Sequence, residues 1–165
     1  EMKSTGEVMG ISSNFGISFA KAQLSAGNKI PTSGTCFLSF VDTDKQHAAE
    51  IGAGLVKHGF KLVATKGTQT VLEDAGIACE RVLKISEGRP NIEDSMKNDE
   101  IAMAINTSDN NTSKKDAVVI RQEVLKRNIP YFTTLSAARA TILALDEMQD
   151  DSWSKPKALQ DFLIK

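Results

Sequence analysis

FKLVATKGTQTVLEDAGIACERVLKISEGRPNIED, residues 60–94, decides the fold. It opens on an apolar run, Leu62, Val63 and Ala64, that breaks at Thr65, Lys66, Gly67 and Thr68. Helical spacing then takes over with Val71, Leu72 and Ala75 and stops at Gly76. A strand that runs through a Thr/Gly turn into a helix gathers backbone N–H groups, two hydroxyls and the positive end of a helix dipole at one point. Such a point binds anions, phosphate above all. A second strand over 81–85 carries Lys84 and leads into the turn Glu87, Gly88, Arg89, Pro90. The two together predict a nucleotide-phosphate pocket assembled from loops.

The same rhythm extends in both directions. Upstream, a strand is predicted over 35–41, followed by a helix that Asp44 can N-cap and Gly59 can close. Its inner face carries Ala48, Ile51, Leu55 and Val56. Downstream come a short helix over 92–97 and a strand over 101–105. The polar loop NTSDNNTSKK leads on to a helix with Ala117, Ile120 and Val124 inward. A strand over 129–132 and a helix over 137–145, apolar nearly all round, complete the series. Strand followed by helix, five times over, implies an α/β fold: a three-layer, Rossmann-like arrangement with a five-stranded parallel sheet and helices on both faces. That unit occupies residues 34–148. Residues 1–33 form one short helix marked by Phe15, Phe19 and Ala22 and then the Gly/Pro/Ser linker SAGNKIPTSG, with too little apolar surface to fold alone. Residues 149–165 are a polar linker and a terminal helix, which Trp153, Leu159, Phe162 and Leu163 can dock.

Composition narrows the function classes. Lys and Arg number 20 against 21 Asp and Glu, so no global field draws the chain to nucleic acid or to an anionic membrane. Any affinity for an anion is therefore local. No stretch reaches the roughly 18 apolar residues of a membrane span, and the N-terminus lacks an apolar signal core. Cys36 and Cys79 lack metal-ligand spacing, no metal site is expected, and a reducing cytoplasmic setting fits them best. The chain begins at Glu1 rather than Met, as a piece of something larger would.

Polar residues collect where the strands end: Asp42, Asp44 and Lys45 after the first, Thr65, Lys66 and Thr68 after the second, Lys84 at the third. Asn106, Thr107 and Ser108 follow the fourth, Thr133 and Thr134 the fifth. Open parallel sheets bind ligands at this edge. Each such residue is also an ordinary helix cap, but five edges and two lysines together favour binding.

At these residues the chain resembles a known family. TGEVMG followed by FAKAQ is similar to the tail of the second ATP-grasp synthetase half of carbamoyl phosphate synthase large subunits. FKLVATKGT, EGRPNIED, INT and VIRQ, in that order, are similar to the C-terminal methylglyoxal-synthase-like regulatory domain of the same family. The resemblance implies an allosteric domain, not itself catalytic and without a cofactor of its own. It would bind a nucleotide monophosphate, UMP as inhibitor and in some members IMP as activator. The parent enzyme would be an ATP-dependent, glutamine-hydrolysing ligase using Mg or Mn and K. It would serve pyrimidine and arginine synthesis, with a glutaminase small subunit as partner and with self-association. By the same resemblance Lys45 and Lys84 pair with the phosphate, Thr65, Gly67 and Thr68 hydrogen-bond to it, and Lys66 adds charge. Asn106, Thr107 and Ser108 meet phosphate or ribose, while Asp116, Val119 and Ile120 line the sugar and base side. Thr133 and Thr134 mark an ornithine edge. Phe132 stands there where ornithine-activated members carry an acidic residue, so the ammonium of ornithine lacks that partner. Ala137 and Ala138 replace a Gly-Gly pair of some relatives.

Two other readings compete. A methylglyoxal synthase-type phosphate lyase needs a carboxylate base and a His beside the enediolate oxygens. Both histidines, His47 and His58, fall in one predicted helix, and the loop after the fourth strand has none. An effector-less structural domain is the plain alternative. A phosphoacceptor signalling domain is excluded, because Lys84 stands where the acceptor Asp is needed and would repel the metal. No G-x-G-x-x-G follows the first strand to suggest a dinucleotide.

Overall fold

A computed structural model describes residues 6–107, 114–149, 151–158 and 160–163. Among them five strands form: β1 (Gly34–Ser39), β2 (Phe60–Ala64), β3 (Glu80–Arg81), β4 (Met103–Asn106) and β5 (Tyr131–Phe132). They lie in the order β3-β2-β1-β4-β5, and every pairing is parallel. The helices are α1 (Phe15–Ser25), α2 (Ala48–Lys57), α3 (Lys66–Asp74), α4 (Ile92–Lys97), α5 (Lys114–Lys126), α6 (Leu135–Glu147) and α7 (Gln160–Leu163).

Alternation along the central strand builds two cores. Cys36 and Leu38 of β1 face one side with Leu62, Met103, Ile105 and Phe132, and meet α2 and α3 through Ile51, Leu55 and Leu72. Phe37 faces the other side with Ala104 and meets α4 and α5 through Ile92, Met96, Ile120 and Val124. Each fully buried Leu or Ile here contributes about 1.5–3 kcal/mol of transfer free energy. The three-layer α/β arrangement expected from the sequence is thus present.

Several boundaries differ, each for a physical reason. The third strand, expected over 81–85, pairs only at Glu80 and Arg81. Both are exposed on the edge, and Ile85–Glu87 turns into a 3-10 helix. The fifth strand is likewise short: Pro130 has no N–H to give a ladder, though its carbonyl accepts from Ala104 N at 2.9 Å. A 3-10 turn, Lys45–His47, precedes α2, and Asp44 makes no side-chain cap bond to it. Val56 is exposed rather than inward, because α2 buries only the stripe through Ala48, Ile51, Gly52 and Leu55. Gly59, at φ +81°, closes that helix as expected.

The helix expected within residues 1–33 forms: Phe15 is exposed, Phe19 packs against the first core, and Gly16, Ile17 and Ala20 turn inward. Gly16 lies so close to α6 that a Cβ on it would stand 2.5 Å from the Leu143 carbonyl oxygen. Ile17, Ala20 and, from the expected linker, Ile30 are buried in the first core. The apolar α6 is therefore covered by both α1 and α2. At the other end Trp153 packs against the same core and Lys157 Nζ stands 4.6 Å over the Phe162 ring. Leu159 lies outside the described residues.

Candidate functional site

The two connections that leave β1 and β4 diverge. β1 leads through α2, on one face, to β2; β4 leads through α5, on the other face, to β5. Neighbouring strands whose connections part in this way leave a crevice beyond their carboxyl ends. A cavity of about 300 Å³ occupies it. Its floor is the end of β1 and the loop beyond it: Ser39, Phe40, Val41, Asp42 and Thr43. Thr65 and Gly67 come from the start of α3, and Asn106 and Thr107 from the end of β4. Lys45 and Lys84 both line it, and Phe37, Ile85, Ile92, Ala117 and Ile120 make its apolar lining.

Hydrogen bonds between strand ends hold this edge in shape. Thr107 N donates to Ser39 O at 2.9 Å, and Val41 N donates to Thr107 Oγ1 at 3.1 Å. Asn106 is buried and its Nδ2 donates to the Tyr131 hydroxyl at 3.0 Å, which fixes the amide. Thr65 precedes α3 in an extended conformation and its side chain caps nothing. Its hydroxyl, 3.4 Å from Ser39 Oγ, faces the cavity instead. In the first turn of α3 Thr68 N donates to Thr65 O at 2.9 Å, while the N–H groups of Lys66 and Gly67 have no acceptor within the helix, and the dipole adds roughly half a positive charge there. Lys45 Nζ lies over that same turn: a Cβ on Gly67 would stand 2.6 Å from it, so only glycine leaves the ammonium its place. Asp42 accepts from Lys45 Nζ at 2.5 Å.

The loop that carries Lys84 is braced from behind. Lys84 N donates to Glu87 Oε2 at 3.1 Å, and Ser86 Oγ donates to Asp116 Oδ2 at 2.8 Å, joining the loop to α5. Arg89 Nε donates to both oxygens of Asp94 at 3.1 Å. That bond, with one from Asn91 N, holds the Asp94 carboxyl at about 2. Asn91 caps α4 through Glu93 N at 2.9 Å, which sets Ile92 against the cavity.

Of the residues singled out from the sequence, Lys45, Thr65, Gly67, Lys84, Asn106, Thr107, Asp116 and Ile120 meet at this cavity. Others do not line it. Thr68 is fully buried and its hydroxyl accepts from Phe40 N at 2.9 Å, which ties α3 to the end of β1. Lys66 is exposed on the outer side of the first turn, and Val119 lies partly exposed outside the lining. Thr133 is exposed and Thr134 caps α6, its hydroxyl accepting from Ala137 N at 3.1 Å. Ser108 lies outside the described residues. The apolar wall, Phe37, Ile85, Ile92 and Ala117, escaped the sequence reading because each looks like core. The one available signal was the position of Phe37, on the opposite face of β1 from its neighbours.

Neither histidine reaches the cavity lining. His47 Nδ1 lies 3.1 Å from the Arg139 guanidinium, which also binds Glu50 at 2.8 and 2.9 Å and holds that carboxyl below its usual range. His58 Nε2 lies 3.0 Å from Asp146 at the far end of α2. Among the described residues no group of three or more His, Cys, Asp or Glu is placed to hold a metal, and no helix is long and apolar enough to cross a membrane.

The family model of the MGS-like domain matches residues 47–133. Relatives named carbamoyl phosphate synthase large chain are 52% identical in Helicobacter pylori and 47% identical in Campylobacter jejuni, each across 99% of the chain. The chain spans 15% of the length of both relatives. A C-terminal section of such a large chain from Aquifex aeolicus is 45% identical over 90% of the chain and is covered to 28%. Among solved structures, methylglyoxal synthase of Elizabethkingia anophelis superimposes with a TM-score of 0.55 at 19% identity. The match covers 82% of this chain and 93% of that one and speaks to the fold alone.

Proposed function

The chain belongs to the MGS-like domain family, and on that premise we propose that it is the nucleotide-sensing regulatory domain of a carbamoyl phosphate synthase large chain. The observation that carries the reading is the meeting of Lys45, Lys84 and the first turn of α3 opposite an apolar wall in one cavity of about 300 Å³. Two ammoniums and a helix N-terminus suit a phosphate, since charge-assisted hydrogen bonds are the strong ones. Phe37, Ile92 and Ile120 suit a base, and Asn106 and Asp116, in the same lining, suit a ribose. The ligand is a nucleoside monophosphate, UMP as inhibitor, with IMP as the activating alternative. Its occupancy would control, in the cytoplasm, the ATP-dependent synthesis of carbamoyl phosphate by the other domains of the longer chain and its glutaminase partner. Coupling of this kind is a free energy between sites, typically ~1–3 kcal/mol.

Absence of both histidines from the lining argues against lyase chemistry at this cavity. Calorimetric titration of the chain with UMP, IMP and ornithine in separate runs tests the reading. Saturable one-site binding of UMP, weakened by salt, is expected. A chain that takes up neither nucleotide would contradict it. Ornithine is expected not to bind at the β5 edge, where Phe132 is buried and Thr134 is engaged as a cap.

A further inference from the structure

Charge balance inside the cavity points to a finer property, which rests on the nucleotide reading above. Among the described residues, the titratable side chains of the lining are Asp42, Lys45, Lys84 and Asp116, so two ammoniums face two carboxylates. Asp116 is engaged at the rim by Ser86 Oγ at 2.8 Å. Asp42 stands in a different relation to the ligand. Its carboxylate accepts from Lys45 Nζ at 2.5 Å, and that same Nζ lies over the first turn of α3, 2.6 Å from where a Cβ of Gly67 would be. A phosphate bound at the turn must share Lys45 with Asp42.

One phosphate can do so. It gains the positive end of α3, both ammoniums and the first-turn N–H groups, against the repulsion of Asp42 and, at the rim, Asp116. A second phosphate adds negative charge to the same small volume without adding a cation, and lies within a Debye length of Asp42 wherever it points. We propose that Asp42 is a specificity-determining residue: it orients Lys45 over α3 and offsets its charge, restricting the site to a ligand with a single phosphate, a nucleoside monophosphate over the diphosphate. Were the pair only an exposed i, i+3 contact, its removal would change little.

The test is titration of the full chain, its Asp42→Asn variant and its Asp42→Glu variant with UMP and with UDP at one salt concentration. The Asp42 side chain is 91% exposed, so both variants are expected to fold, which a thermal melt checks. The unaltered chain prefers UMP. In Asp42→Asn that preference shrinks on the order of five- to tenfold, chiefly through tighter UDP binding. Asp42→Glu, which keeps the charge, retains the preference. A UMP-over-UDP ratio unchanged in Asp42→Asn, with UMP still bound, overturns the role of Asp42 and leaves the nucleotide reading standing. An Asp42→Glu variant that behaves as Asp42→Asn overturns the charge argument in the same way. No UMP binding by the unaltered chain overturns the nucleotide reading, and this assignment with it.

Discussion

Lys84 and Thr68 carry opposite kinds of work. Lys84 lines the cavity and is only partly buried, so its side chain is available to a ligand at little expense to folding. Lys84→Ala should weaken UMP binding by more than ~1.5 kcal/mol, with the melting curve unchanged; calorimetry on the variant decides. Thr68 is fully buried with its hydroxyl accepting from Phe40 N. Thr68→Val keeps the shape but leaves that amide without its acceptor, so it should destabilise the fold by about 1–3 kcal/mol in a denaturant titration. A Thr68→Val variant of unaltered stability would show that Phe40 N finds another acceptor. From sequence the two threonines of the α3 turn look alike. Their roles part because one lies at the strand end, facing out, and the other one turn into the helix, facing β1.

Within single elements, helix and turn chemistry is local and was legible. α3 begins after the break at Thr65, α4 spans the expected 92–97, and α2 stops at Gly59. Strand lengths and helix faces are not local. How much of 80–85 pairs depends on β2 beside it, and the rotation of α1 depends on how closely α6 approaches. At its closest approach to α1, α6 leaves room only for a glycine, Gly16. Gly16→Ala ordinarily strengthens a helix by about 0.5–1 kcal/mol. In this helix the new Cβ meets the Leu143 carbonyl, and the substitution should destabilise by about 1–3 kcal/mol in chemical denaturation. The loop behind Lys84 allows a pH test. The Arg89 hydrogen bond depresses the Asp94 pKa to about 2 from an ordinary 3.8. A depressed carboxylate contributes stability that is present above its unfolded pKa and lost as pH falls through the folded one. The loop therefore loosens between about pH 4 and 2. NMR titration should place Asp94 near 2 in the chain and return it toward 3.8 in Arg89→Ala.

For the whole molecule, the sheet and its layers were legible because alternation of apolar strands with 3.6-residue helices leaves little choice of architecture. The cavity was legible by half. Polar residues at strand ends announce themselves, since core positions would not tolerate them. The apolar wall does not, because Phe37 and Ile92 serve the second core and the cavity at once. Binding must also register in the stability of the entire unit. At a UMP concentration about 100-fold above Kd the chain should gain about 2.7 kcal/mol against unfolding, with a matching rise in Tm.

A ¹H–¹⁵N correlation titration of the labelled chain with UMP puts the nucleotide site to its sharpest test. Saturable shifts are expected, concentrated at the amides of Thr65, Lys66 and Gly67, at Lys84 and Ile85, and at Asn106 and Thr107. Shifts centred instead on the groove between Asn14, Lys21 and Trp153, or no shifts at all, would contradict a nucleotide site at the β1–β4 switch point.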